Sequence, residues 1–219
     1  MNQMRLVILG ASGMVGGYAL RYMLDHPTIE RVTAIGRRKL GVSHPKLDEV
    51  LHQDFSDCSA LARVISGQDA CVFCLGTYTA TVRDAELRTI TVDYTIEFAR
   101  VLRESSPDAT FSFLSGAGAD QTGRSRMAFA RYKGEAEKAL LAAGFPSVYI
   151  FRPAYIYPVE HRREPNFSYR LLRVIYPVFR ALFPNQVIRK RGERGSLVFE
   201  NRDIRAMVES YRQAFLSKK

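Results

Sequence analysis

The chain has 219 residues, of which 47% are hydrophobic, which is enough for one well-buried domain and short for two. No run reaches the ~18 apolar residues of a membrane-spanning helix, and the N-terminus leaves no room for a signal peptide, so we expect a cytoplasmic protein. Three cysteines suit a reducing compartment, and four histidines without ligand spacing predict no metal. A net charge of +10 indicates a polyanionic partner. The absence of a recognition-helix pattern favours a phosphate-rich cofactor over nucleic acid.

The N-terminal segment reads as a strand, a glycine-rich turn and a helix, in that order. An apolar run at 5–9 leads into Gly10-Ala11-Ser12-Gly13-Met14-Val15-Gly16, and a helical pattern continues to about residue 25. The first glycine permits a tight turn, the second leaves room for a pyrophosphate, and the third lets the helix pack close to the strand. Free amides at a helix N-terminus bind phosphates. We therefore predict a dinucleotide site that includes Gly10, Ser12, Gly13, Met14 and Val15, with an ordinary glycine-rich turn as the alternative.

The ends of the next two predicted strands suggest which dinucleotide binds. Strand 2, at 31–36, is followed at once by Arg37 and Arg38. An acidic residue at this place would bind the ribose hydroxyls of NAD, whereas two arginines suit the 2′-phosphate of NADP. A solvated basic turn is the alternative. Strand 3, at about 49–53, ends at Asp54 and Phe55, where a carboxylate could accept a hydrogen bond from adenine, unless Asp54 serves only the turn.

The remaining elements continue the alternation of helices and strands. We expect helices at about 59–66, 83–106 and 126–143, and strands at 70–75, 110–114 and 147–151. The strand at 70–75 ends in Leu75, Gly76 and Thr77, at the edge where a ligand crevice lies. Six alternations predict an α/β protein with a Rossmann-type, doubly wound parallel sheet of strand order 3-2-1-4-5-6.

The alternation stops after the sixth strand. We expect one domain with a dinucleotide-binding core at 1–153, a helical substrate lobe or lid at 154–200, and a C-terminal helix at 201–219. Residues 196–199 could add a short strand. The mixture of arginines and apolar residues at 169–183 also suits a membrane-surface helix, against which Pro177 counts.

Several motifs together resemble the short-chain dehydrogenase/reductase superfamily, in its atypical, extended-like branch and most of all the TIP30-like group of NAD(P)-binding oxidoreductase-like proteins. Beyond the glycine turn they are Ile35-Gly36-Arg37-Arg38, Cys74-Leu75-Gly76-Thr77, Val92-Asp93-Tyr94, residues 114–120, residues 133–137 and Phe151-Arg152-Pro153. The resemblance implies a catalytic serine after strand 5, matched by Ser115, and a lysine that also holds the nicotinamide ribose, matched by Lys133. It further implies cofactor contacts at Pro153, Ala154 and Tyr155, and pairing into a homodimer through the helices at 84–104 and 126–143.

One position departs from the family pattern. The catalytic tyrosine of such enzymes lies four residues before the lysine, and that position is Phe129, whose ring has no exchangeable proton. Tyr78, Tyr132 and Tyr155 are other candidate donors, with simple packing as the alternative for each. Two functions remain open. One is an NADP(H)-dependent oxidoreductase acting on a small apolar carbonyl or enone without the tyrosine acid. The other is a non-catalytic, NADP(H)-responsive regulator or scaffold.

Overall fold

A single sheet of seven parallel strands organises the molecule. The computed structural model describes residues 3–77, 81–154, 156, 197–200 and 203–204. The strands are β1 (Met4–Leu9), β2 (Ile29–Gly36), β3 (Leu47–Leu51), β4 (Ala70–Phe73), β5 (Thr110–Leu114), β6 (Ser147–Arg152) and β7 (Leu197–Glu200). Their order is β3-β2-β1-β4-β5-β6-β7. The predicted fold class and the order of the first six strands are confirmed, and β7 extends the sheet beyond β6.

Four α-helices connect the strands within the described ranges: α1 (Met14–Asp25), α2 (Asp84–Arg88), α3 (Tyr94–Ser105) and α4 (Ala128–Ala142). The predicted single helix at 83–106 is interrupted, because a π-helical segment at Thr89–Asp93 joins α2 to α3. The predicted helix at 59–66 is wrong in length, since only a 3-10 turn at Ser59–Leu61 forms. That segment buries only Leu61 and Ile65 among its larger side chains, too few for a continuous helical face.

The sheet is covered on both faces, as expected of parallel strands joined by helical crossovers. Alternate residues of β1 supply both sides of the core. Leu6 and Ile8 pack with the buried face of α1. Val7 and Leu9 belong to the larger cluster that contains Phe98 of α3. The first strand is therefore apolar on both faces and lies centrally between β2 and β4.

This central position creates the crevice of the fold. The chain leaves β1 towards β2 on one side, while β4 pairs with β1 on the other. Such a reversal of strand order opens a cleft at the carboxyl ends of the strands. The predicted lobe at 154–200 and helix at 201–219 fall mainly outside the described residues. No helix of the described ranges has both the length and the apolar character needed to cross a membrane.

Candidate dinucleotide-binding site

A cleft of about 480 Å³ opens where β1, β2 and β4 end. Its walls are the glycine turn, the basic turn after β2, the segment after β4 and the π-helical segment. Ten of the cofactor-binding residues predicted from the sequence line it: Gly10, Ser12, Gly13, Met14, Arg37, Arg38, Phe55, Leu75, Gly76 and Thr77. The fold therefore gathers residues up to 67 positions apart in the chain, from Gly10 to Thr77, around one concave surface.

The glycine turn has the geometry of a phosphate cradle. Gly10 has φ +79°, and a Cβ there would lie 2.5 Å from the carbonyl carbon and oxygen of Cys74. A Cβ on Gly16 would lie 2.2 Å from the Gly10 oxygen, so the close approach of α1 to the turn requires glycine. No side chain caps α1, whose N-cap is Gly13. The first-turn amides, which have no partner inside the helix, are thus available to an anion.

The basic turn presents two unpaired cations. Arg37 and Arg38 are exposed and line the cleft directly after β2. Among the described residues, no carboxylate forms an ion pair with either guanidinium. Two adjacent arginines without acidic partners form a local excess of positive charge, which suits a phosphate.

Other predicted cofactor residues lie outside the cleft lining. Val15 lies in the first turn of α1 and does not line the cleft. Asp54 accepts hydrogen bonds from the amide and hydroxyl of Ser56 at 2.9 and 2.6 Å, and these bonds lower the pKa of its carboxyl. Asp54 is therefore a turn residue in this structure, and its contact with adenine stays a prediction. Pro153 accepts the Ala117 amide at 2.9 Å; Ala154 is exposed, and Tyr155 falls outside the described residues.

Part of the cleft lining was not predicted from the sequence. The further lining residues include Glu49 of β3, Glu86 of α2, Thr89 and Ile90 of the π-helical segment, and Tyr94 of α3. The periodicity of residues 83–106 predicted a regular helix, and it carried no signal for the π-helical segment that turns Thr89 and Ile90 towards the cleft. Within the described residues, no group of His, Cys, Asp or Glu side chains is arranged to hold a metal ion.

Ser115 belongs to a second polar cluster, outside the cleft lining and between β5, α4 and β6. Its hydroxyl donates to Glu137 at 2.5 Å, and Glu137 is completely buried. The same carboxylate accepts hydrogen bonds from Gln121 at 2.8 Å and from Arg152, which forms an ion pair with it. Glu137 acts as the acceptor in each of these hydrogen bonds. The hydrogen of Ser115 is therefore committed to Glu137, and the serine oxygen can offer only lone pairs to a ligand.

Glu137 and Arg152 were not predicted as site residues, although both lie in motifs that carried the family resemblance. The four-residue spacing from Lys133 to Glu137 on one helix face was the available signal. Arg152 also donates to Glu200 of β7 at 2.9 Å, so the cluster reaches the edge of the sheet. Its pKa is raised above the ordinary value, with the Glu137 hydrogen bond as the largest cause.

Lys133 is nearly buried, at 7% exposure. Its Nζ donates to the Leu114 carbonyl at 2.9 Å and lies 4.6 Å from the centre of the Phe113 ring. Burial lowers the pKa of this ammonium to about 8, and the nearby charge of Glu137 opposes that shift. Cys74, which lines the cleft, has a pKa raised by burial to about 11 and lowered in part by the charge of Lys133. Lys133 therefore lies behind the cleft wall, next to Cys74.

Neither Phe129 nor Tyr132 of α4 is available as a free proton donor. A Cβ on Gly116 would lie 2.7 Å from Cζ of Phe129, the para carbon of the ring. The para position of Phe129 therefore faces Gly116. Tyr132 donates its hydroxyl to Asp84 of α2 at 2.7 Å, which raises its pKa. Tyr132 thus connects two helices, and Tyr78 and Tyr155 lie outside the described residues.

The parallel sheet, the strand reversal and the glycine turn define a Rossmann-fold protein of the short-chain dehydrogenase/reductase type. The chain belongs to the NAD dependent epimerase/dehydratase family, whose model matches residues 6–133. This confirms the superfamily inferred from the motifs.

Curated relatives confirm the TIP30-like character. The chain is 30% identical over 168 residues to Protein HTATIP2 (TIP30) of Rattus norvegicus, covering 76% of this chain and 68% of that protein. It is 29% identical over 166 residues to the mitochondrial protein fmp52 of Emericella nidulans, covering 73% and 70% of the two chains. At the level of structure it resembles the enzyme WbmG of Bordetella bronchiseptica, solved with NAD, with TM-score 0.61, 17% identity and coverage of 95% and 68%. At such low identity this last likeness shows the fold alone.

The expected cytoplasmic location is contradicted by these relatives. The fmp52 proteins of Emericella nidulans, Meyerozyma guilliermondii and Aspergillus fumigatus are all named mitochondrial. The three free cysteines agree with a reducing compartment but do not separate one reducing compartment from another.

Proposed function

We propose that this protein binds NADP(H) in the cleft between β1, β2 and β4. The observation that carries the proposal is the pair of unpaired guanidiniums of Arg37 and Arg38 at the end of β2. In a Rossmann fold this place is next to the adenosine ribose, where a 2′-phosphate distinguishes NADP from NAD. The residues present fit the cofactor, because the glycine turn leaves no room for a Cβ at Gly10 or Gly16 and offers free amides.

Each part of the cleft has a proposed contact with the cofactor. The amides of Met14 and Val15 would bind the pyrophosphate, and Arg37 and Arg38 the 2′-phosphate. The segment after β4, residues 75–77, would hold the nicotinamide half. Residues 153–155 after β6, of which the described Pro153 and Ala154 are not among the lining residues of the cleft, are proposed as further contacts on the family resemblance. When bound, the cofactor would supply or accept a hydride.

We further propose an oxidoreductase that acts on a small apolar carbonyl or enone. Phe129 has no proton to give and Tyr132 donates its hydroxyl to Asp84, so neither supplies the acid. Lys133 is the remaining candidate among the residues matched to the family pattern, since burial lowers its pKa to about 8 and so brings proton release closer to neutral pH. Ser115 would accept a hydrogen bond from a hydroxyl, such as that of the alcohol product or of the cofactor ribose, because its own hydrogen is held by Glu137.

The cofactor proposal is tested by replacing both arginines with alanine. We expect NADPH affinity to fall at least tenfold and NADH affinity to change by less than twofold, because a charged hydrogen bond contributes about 1.5–3 kcal/mol. Isothermal titration or fluorescence of the reduced nicotinamide measures both constants. Lys39→Ala is the matched control, since this exposed cation lies in the same turn and outside the cleft lining. Equal affinity of the unchanged protein for NADPH and NADH would refute the assignment.

A non-catalytic, NADP(H)-responsive regulator is the second candidate. The observation that favours it is that Phe129, Tyr132 and Ser115 each leave the usual proton-transfer position without a free donor. The two candidates are separated by measuring NADPH consumption by the unchanged protein with a panel of carbonyls, enones and quinones. Consumption above the rate of an Arg37→Ala/Arg38→Ala control supports the enzyme. Tight binding without consumption supports the regulator.

A further inference from the structure

The basic turn after β2 is held at both ends by side chains of the neighbouring strand and the segment after it. Gln53 donates its amide nitrogen to the Arg37 carbonyl at 2.9 Å. Glu49 accepts the Leu40 amide at 2.7 Å. Between these two bonds lie Arg37, Arg38 and Lys39, all exposed.

Such a turn needs external support. Three consecutive cations repel one another, and an exposed turn loses conformational entropy when it is ordered. Glu49 holds the far end of the turn at Leu40, which also packs partly on the core cluster of α1. At the arginine end, the last backbone hydrogen bond of β2 is the one that the His52 amide donates to the Gly36 carbonyl at 3.0 Å. That bond ends one residue before Arg37. Gln53 is the side chain that fixes the backbone of Arg37 itself.

Gln53 does not line the cleft, so an effect of this residue on cofactor affinity would act through the turn and not through direct contact with the ligand. We propose that Gln53 is a positioning residue for nucleotide specificity: its hydrogen bond to the Arg37 carbonyl presets the two guanidiniums for the 2′-phosphate. The inference rests on the proposed NADP(H) function. Preorganisation of this kind increases affinity because the ordering cost is met before the ligand binds.

The test replaces Gln53 with methionine, which keeps the side-chain length and removes the amide donor. We expect NADPH affinity to fall roughly three- to tenfold, the range of one net hydrogen bond, and NADH affinity to stay within twofold. Gln3→Met is the matched control, because Gln3 is exposed and lies at the amino end of β1, whereas the cleft lies at the carboxyl end of that strand. Titration calorimetry gives both constants, and the midpoint of urea unfolding shows that each variant is folded.

A double-mutant cycle separates positioning from a general effect on structure. In the Arg37→Ala/Arg38→Ala background, Gln53→Met is expected to leave NADPH affinity unchanged, because the groups that it positions are gone. A further loss in that background, or an equal loss of NADH affinity in the single variant, would overturn the inference. Unchanged NADPH affinity in the single variant would overturn it as well. Failure of the proposed function gives a different result, namely equal affinities for NADPH and NADH before any substitution.

Discussion

At the scale of single residues, the most unusual group is the buried ammonium of Lys133. Its surroundings supply one carbonyl, one aromatic face and, one helical turn away, the carboxylate of Glu137. Loss of hydration outweighs these favourable interactions, which is why the pKa falls from 10.5 to about 8. A lysine in this state is costly for folding and suitable for proton exchange.

The lowered pKa of Lys133 predicts a specific pH dependence of stability. Below pH 8 the amine is charged in both states, and the folded state bears the full cost of burying it. Between about pH 8 and 10.5 the folded chain releases the proton that the unfolded chain still holds, so stability rises with pH in this window. Relative to Lys133→Met, we expect the free energy of unfolding of the unchanged protein to gain about 3 kcal/mol across the window, at about 1.4 kcal/mol per pKa unit. Urea unfolding of both proteins at a series of pH values measures the difference, and a flat difference would contradict the shift.

At the scale of secondary-structure elements, the buried carboxylate of Glu137 joins α4 to three other parts of the chain. It accepts from Ser115 at the end of β5, from Gln121 in the following loop and from Arg152 of β6. Arg152 continues the network to Glu200 of β7. The predicted substrate lobe at 154–200 begins just after β6 and ends with β7, so Arg152 connects the two strands at its limits.

This network predicts a large effect of Arg152→Ala. The substitution leaves Glu137, which is fully buried, without its cation. We expect a loss of about 3–5 kcal/mol in the free energy of unfolding, the usual cost of removing one partner of a buried ion pair. Arg100→Ala is the control, because Arg100 pairs with Glu97 and Glu104 on the exposed face of α3 and about 0–1 kcal/mol is expected there. Equal, small losses in thermal or urea unfolding would show that Glu137 is supported mainly by Ser115 and Gln121.

At the scale of the whole molecule, the net charge of +10 affects how an anionic cofactor approaches. An excess of positive charge attracts polyanions over distances that salt reduces, since the Debye length is ~10 Å at 0.1 M ionic strength. The cofactor with the extra phosphate, NADP(H), carries more negative charge than NAD(H), and in the proposed site it would also interact with Arg37 and Arg38. Arg37 and Arg38 place two of these positive charges on the cleft lining, which also carries Glu49 and Glu86.

We therefore expect NADPH affinity to decrease more steeply with salt than NADH affinity. Titrations between about 50 and 500 mM sodium chloride would give the two slopes of log Kd against log salt concentration. In the Arg37→Ala/Arg38→Ala variant the slopes should approach each other, because the local cations that distinguish the cofactors are absent. Parallel slopes in the unchanged protein would indicate that the basic turn does not face the additional phosphate.

The fold was largely predictable because its determinants are local. Apolar runs, helical periodicity and the glycine turn at 10–16 located β1, α1 and β5 to within a residue or two and implied the strand order. The residues of the cleft that lie at strand ends, from Gly10 to Thr77, followed from the same local signals. The π-helical segment at Thr89–Asp93 could not be predicted, since its residues have ordinary helical periodicity and tertiary packing decides where one extra residue is accommodated.

The sequence by itself determined the class of protein and located the part of the cleft that is proposed to bind phosphates, because glycines and arginines would act there through backbone freedom and charge. Only the tertiary structure decided what Ser115, Lys133 and Tyr132 do. Ser115 and Tyr132 give their hydrogens to Glu137 and Asp84, which are 22 and 48 positions away in the chain. Lys133 has an altered pKa because β5 and α4 exclude water from it. The direction of a hydrogen bond and the hydration of a charge depend on neighbours that are brought together by folding, and no local pattern specifies them.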